Sequence, residues 1–431
     1  MERVTVSILI GTLVALVGCR PSSPAAQPAR VVSGSMAPRY CGEHWQVECQ
    51  GCGYSFQIGV EHPPMQMQAV CPKCGAKTAI DDAEIQPGMA VDIQPRNFAA
   101  DPLKRWEVVG FLEPGDSERI AVKRVVGLPG EQIAIRGGEI YANDQLVRKS
   151  FEEFAAVGQL GYALYRPSFD EEAAPERWRA STADSQWKTI DEDTDNWFVC
   201  EPSENSQTDW LEYHHFRGSA FATNDDATPK IADDYAYNQG LTRSLNVVRD
   251  VMVGAGVKMT REGEFRVRIL GGPRPLWVSL LPSENTVSLW RGDKKLTEAR
   301  APTLLAKPAT IIDVGLVDGQ VLVGIDRHVA LTYTFDDPDE LADADVSLAL
   351  GNRDLNVSVL LPSVYRDIYY LNPHGRSEDW EMDAPLGADE YFLLGDNAPV
   401  SIDGRQYGPI KLGDIIGTVQ PRNEEASATP P

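Results

Sequence analysis

The chain has 431 residues, enough for two to four domains, and 42% of it is hydrophobic, so each domain can bury a core. Its formal charge of −23, from 40 basic and 63 acidic residues, argues against any phosphate-rich partner, so no nucleic acid is expected, and against a polybasic lipid-binding surface. Four of the seven cysteines form two C-x-x-C pairs, which points to metal binding rather than a disulfide framework.

Val4–Val17 is a nearly continuous apolar run behind Glu2-Arg3. It falls short of the ~20 residues that span a bilayer comfortably and suits the apolar core of a secretory signal. It ends in Leu16-Val17-Gly18-Cys19, which resembles a bacterial lipobox and would make Cys19 a lipidated N-terminus. A short uncleaved anchor is the other reading. Both tether the rest of the chain to a lipid bilayer on its extracytoplasmic side. Pro21–Ala29 reads as a Pro/Ala/Ser tether without periodicity, so residues 1–30 form a signal or anchor segment.

Val32-Ser33-Gly34-Ser35-Met36-Ala37-Pro38 follows. A Ser between Gly and Met, three residues before a Pro, suits a hydroxyl presented on a tight turn, although such a run taken alone is a linker. Next, Cys49-x-x-Cys52-Gly53 and Cys71-x-x-Cys74-Gly75, with 18 residues between them, match a zinc ribbon over residues 41–85. Four thiolates can surround a tetrahedral Zn²⁺, and a closed four-Cys set leaves no open position, so the expected zinc is structural. The alternative is two disulfides, which the oxidising location favours.

Ile85–Ile93, Trp106–Phe111, Ile120–Val126, Gln132–Ile135 and Glu139–Ala142 read as short strands punctuated by Gly and Pro, an all-β unit. Residues 149–243 form a polar, Trp-rich insertion of poor periodicity, with Cys200 expected as a buried free thiol. Residues 244–375 carry repeated strand-like runs that fit a jelly-roll-like β-sandwich, with Asp313, Asp318 and Asp326 as turn residues. Glu390–Leu394 is a strand leading into Gly395-Asp396-Asn397-Ala398-Pro399-Val400-Ser401-Ile402-Asp403-Gly404-Arg405, and 421–431 is a polar tail.

Three stretches in this order resemble the sequence boxes of type I signal peptidases, the membrane-bound Ser/Lys proteases. They are Ser33-Gly34-Ser35-Met36-Ala37-Pro38, Lys123-Arg124-Val125-Val126-Gly127-Leu128-Pro129-Gly130-Glu131, and the Gly395–Arg405 box. The last departs from the family pattern at Ala398, usually Arg, and at Gly404, usually Ser. The resemblance implies a mainly β chain. In it a discontinuous peptidase domain (31–40, 86–148 and 376–420) is interrupted by the ribbon and the sandwich.

It also implies roles. Ser35 would attack the scissile carbonyl and Lys123 would take its proton, with no cofactor for catalysis. The Ser35 N–H and the Ser33 hydroxyl would stabilise the oxyanion. Ser401 would hydrogen-bond the Lys123 amine, Asp403 and Arg405 would pair, and Asp396 would hold the loop. The partners would be exported preproteins carrying signal peptides. From the residues alone, none of the six His falls in these stretches, and Lys123 could act as a base only if burial among Ile120, Val122, Val125 and Val126 lowered its pKa. Two other readings stand beside this one. One is a carbohydrate- or protein-binding protein on an inactive peptidase scaffold. The other is a self-cleaving Ser/Lys repressor, against which stand the charge and the absence of a helix-turn-helix.

Overall fold

Alternating apolar residues give strands such as Glu264–Leu270 and Val357–Arg366 one face to bury, whereas Gln320–Ile325 is buried on both faces. The computed structural model describes residues 25–163, 176–192, 195–202, 207–215, 230–301, 304, 309–341 and 343–422. The apolar run 4–17, Cys19 and the tail beyond 422 lie outside the described residues. Among the described residues no helix is long and apolar enough to cross a membrane.

One antiparallel sheet positions the three boxes: residues 123–127 lie within one of its strands, and the other two boxes follow two of its strands. Its spatial order is Gln27–Arg30, Ala90–Gln94, Ile415–Pro421, Val108–Glu113, Asp116–Gly127, Glu390–Leu394 and Ile410–Lys411. The expected tether therefore ends early. Gln27–Arg30 is an edge strand, with Gln27 opposite Ile93 and Arg30 opposite Ala90. Main-chain pairing with an existing strand orders this stretch without any hydrophobic alternation of its own. A smaller sheet of Gln145–Leu146, Glu139–Ala142, Ile133–Arg136 and Trp380–Glu381 adjoins it. The core here joins Trp106, Val126, Ile133, Ile135, Phe392 and Leu394.

Residues 44–86 form the ribbon. His44–Glu48, Ser55–Gly59 and Ile85–Gln86 make one sheet, and Gln68–Val70 pairs with Lys77–Ala79. Its core is Trp45, Val47, Phe56 and Ile58 packed with Cys49, Cys52 and Cys71.

The rest is a two-sheet sandwich, with eight strands in one sheet and seven in the other among the described residues. The Trp-rich stretch is part of it rather than a separate insertion. Trp187–Glu192 and Asp195–Cys200 extend the first sheet, while Trp178–Ala180 and Asp209–Tyr213 extend the second. The cause is visible in the core, where Trp178, Trp187, Phe198 and Leu211 are buried beside Val253, Val267 and Val278. These strands are short and flanked by polar residues, so a few large side chains replace sustained alternation. Cys200 is buried and free.

Lys149 joins the sandwich to the smaller sheet, whose Glu139 lies beside it. Its Nζ lies 2.9 Å from Asp318 Oδ1 and 2.7 Å from Asp367 Oδ2, and its N–H donates to Asp318 Oδ2 at 2.7 Å. The Asp318 N–H donates to Asp250 Oδ2 at 2.7 Å, and Glu139 completes a cluster of four carboxylates. Asp318 does occupy a turn, with φ 49°, but its carboxylate is fully buried in this junction.

Candidate active site

Met36 is completely buried with Val31, Tyr40, Val91 and Ile93, and it anchors the turn that carries Ser35. The Ala37 N–H donates to Gly34 O at 3.0 Å and closes that turn. Strand Asp116–Gly127 brings Lys123 alongside, opposite Val109 in register. Lys123 Nζ is 2.7 Å from Ser35 Oγ, and Ser33 Oγ is 3.1 Å from Ser35 Oγ. Lys123 is 4% exposed and Ser35 8%. Burial pushes the Lys123 amine down to about 8, against the upward pull of Asp403 and Glu113. A base with that pKa is substantially neutral at mildly alkaline pH, and a neutral amine is what can remove a hydroxyl proton. No histidine contacts Ser35 among the described residues. Within the same residues the Ser35 N–H has no acceptor, which leaves it free to donate to a developing oxyanion.

Asp403 and Arg405 form the expected pair, Nη2 to Oδ2 at 2.7 Å, both buried. Asp403 also accepts from the Gly395 N–H at 3.0 Å and caps the short helix Gly404–Tyr407. Arg405 carries the Leu371 and Ala398 carbonyls at 2.9 and 3.0 Å. Asp396 pairs with Arg124: Nε donates to Oδ1 at 2.7 Å and Nη2 donates to Oδ2. Arg124 Nη1 also donates to Trp106 O at 2.7 Å.

Ser401 departs from its expected role. Its hydroxyl is buried but makes no hydrogen bond among the described residues, to Lys123 or to any other group. It is wedged against the backbone: a Cβ at Gly395 would sit 2.1 Å from Ser401 Oγ and 2.5 Å from Ser35 O. Glycine at 395 is what lets the two loops close on Ser35.

Residues that sequence reasoning missed surround this set. Arg124 lies in the second box, next to Lys123, and strand alternation turns it to the opposite face. Asn397 lies in the third box, and its N–H donates to Ser35 O at 3.0 Å. Gln159 Nε2 and Tyr235 Oη donate to Asp396 O at 3.1 and 2.7 Å. Asn238 pairs with Asn397. No motif marks these last three residues.

The cysteines form the second centre. Cys49 Sγ and Cys74 Sγ are 3.5 Å apart, Cys52 Sγ and Cys71 Sγ 3.7 Å apart, and all four lie within 4.8 Å of one another. Disulfide sulfurs would be ~2.05 Å apart, whereas tetrahedral ligands at ~2.3 Å from a metal stand roughly 3.8 Å apart. The set fits a metal ion, and none of the four is in a disulfide.

The sequence profile of the family described as signal peptidase, peptidase S26, matches residues 3–159 and 352–422. The chain belongs to that family. The unmatched residues 160–351 of this signal-peptidase-family chain contain most of the sandwich. A comparison with curated proteins finds no match. Among solved structures, the carbohydrate recognition domain of Emp46p is 11% identical, with 48% of this chain and 97% of that chain covered and a TM-score of 0.30. Alginate lyase A1-II′, of polysaccharide lyase family 7, is 12% identical, with 43% and 85% covered and a TM-score of 0.28. Galectin LEC-6 of Caenorhabditis elegans is 12% identical, with 26% and 81% covered and a TM-score of 0.21. Each spans less than half of the present chain and bears on none of its chemistry.

Proposed function

We propose that this signal-peptidase-family chain is a membrane-tethered serine endopeptidase that cleaves signal peptides from exported preproteins, with Ser35 as nucleophile and Lys123 as general base. The observation that carries this reading is the 2.7 Å contact between a buried lysine amine and a serine hydroxyl, with no histidine hydrogen-bonded to that serine among the described residues. In the reaction, Ser35 Oγ bonds to the scissile carbonyl carbon while its proton passes to Lys123 Nζ. The oxyanion is met by the Ser35 N–H, and Ser33 Oγ is near enough to turn toward it. Lys123 then returns the proton to the departing amine as the C–N bond breaks. Water, deprotonated by the same amine, hydrolyses the acyl ester and restores Ser35.

The tether would be supplied by residues 1–30, either as an anchor or through lipidation at Cys19, with the catalytic unit on the extracytoplasmic side. Zinc held by Cys49, Cys52, Cys71 and Cys74 would be structural; bound there, it would fix the ribbon that packs beside the Ser35 turn.

The test is cleavage of a purified preprotein in detergent micelles by wild type, Ser35→Ala and Lys123→Met. Loss of cleavage in both variants, with unchanged thermal unfolding, is expected. Wild-type rates in both would discard the mechanism.

A further inference from the structure

Two peptide carbonyls beside the Ser35 side chain are held by one residue, one through its side chain and one through its backbone. Asn397 Nδ2 donates to Gly34 O at 2.8 Å, and the Asn397 N–H donates to Ser35 O at 3.0 Å. Asn397 is fully buried. Its amide must point one way only, since the reverse orientation would set Oδ1 against Gly34 O, two acceptors face to face.

That orientation is fixed from the insertion. Asn238 Nδ2 donates to Asn397 Oδ1 at 2.6 Å, and Asn397 Nδ2 donates back to Asn238 Oδ1 at 3.1 Å. The segment bearing Asn238 is itself pinned on both sides. Tyr235 Oη donates to Asp396 O at 2.7 Å, and the next residue, Gln239, grips Val70 through both of its amide atoms at 2.8 and 2.6 Å. Between them, the Tyr237 ring covers Gly34 so closely that a Cβ there would lie 2.6 Å from Cε1.

We infer that Asn238, reaching in from the sandwich insertion, is a positioning residue for the peptidase reaction: it locks the Asn397 amide and thereby sets Ser35 against Lys123. This rests on the Ser35/Lys123 reading above. Asn238 touches neither reacting atom; it acts only through Asn397. The insertion is thus a working part of the active site, and the second centre reaches the first through a short run, from Cys71 by way of Val70 and Gln239 to Asn238.

The experiment uses the full chain in detergent micelles with a preprotein substrate. Rates are normalised to the Ser35 that a serine-acylating probe titrates, so unfolded protein does not count. Asn238→Ala should lower kcat about 100-fold, the scale of a misplaced catalytic group, with KM changed less than about twofold. Asn238→Asp keeps the shape but removes the donor to Asn397 Oδ1 until the introduced carboxyl is protonated. Its kcat relative to wild type should therefore rise as pH falls, while the Asn238→Ala ratio stays flat. An unchanged normalised kcat in Asn238→Ala, or a pH-independent ratio in Asn238→Asp, would overturn the positioning role with the protease reading intact. Absence of any Ser35-dependent cleavage by wild type would overturn both.

Discussion

Lys123 Nζ reaches Ser35 Oγ at 2.7 Å across 88 positions of sequence, on a strand whose packing strips the amine of water. Only the neutral amine can accept the proton, so cleavage should rise with pH through about 8. The Asp403 charge holds that value up and Arg405 pulls it down. Asp403→Asn should therefore move the rising limb of the pH–rate profile to lower pH. A limb that moves upward, or does not move, would contradict the assigned electrostatics.

The same burial has a stability consequence. The folded chain protonates Lys123 only below about 8, the unfolded chain near 10.5, so the unfolded state binds more protons between those values. Stability should rise with pH across that window, and Lys123→Met should remove that part of the slope. Denaturant unfolding at pH 8 and pH 10 measures it.

For the cysteine set, elemental analysis of purified protein should find about one zinc per chain, and Cys71→Ser should lose it and melt earlier. A metal-free sample with two disulfides would reject the site.

Ser401 offers a sharper test of the outer site. A buried hydroxyl without a partner costs stability, so Ser401→Ala should leave thermal unfolding unchanged or raise it. A marked fall in the melting temperature would show that the hydroxyl is hydrogen-bonded after all.

At the Lys149 junction, burial and the neighbouring Asp318 and Asp367 charges push Asp250 up to about 7 from 3.8. A raised acid contributes stability fully below its unfolded value and loses it as pH rises through the folded one. Asp250→Asn keeps an acceptor for the Asp318 N–H and cannot titrate. Its melting temperature should exceed wild type by more at pH 8 than at pH 5.

The mainly β architecture and the boxes were legible because the information is local: alternation, turn residues and contiguous motifs. The ribbon pattern was legible for the same reason. What escaped depends on partners far away in sequence. Arg124 and Asp396 are 272 positions apart, and Asn238 and Asn397 are 159 apart. No period or motif encodes such pairs. The Trp-rich stretch hides its strands from short-range pattern because they contribute few but large core side chains. Ser401 was assigned its role from the resemblance, and here the loop packs its hydroxyl against Gly395 instead.

Ile415–Pro421 fills the slot between Ala90–Gln94 and Val108–Glu113. A ribosome makes that strand after both of its neighbours, so the nascent chain carries an open seam until it emerges. The strand that leads to Ser35 and the strand that carries Lys123 lie on opposite sides of the seam. Any meeting of the two side chains should thereby wait on the making of that strand.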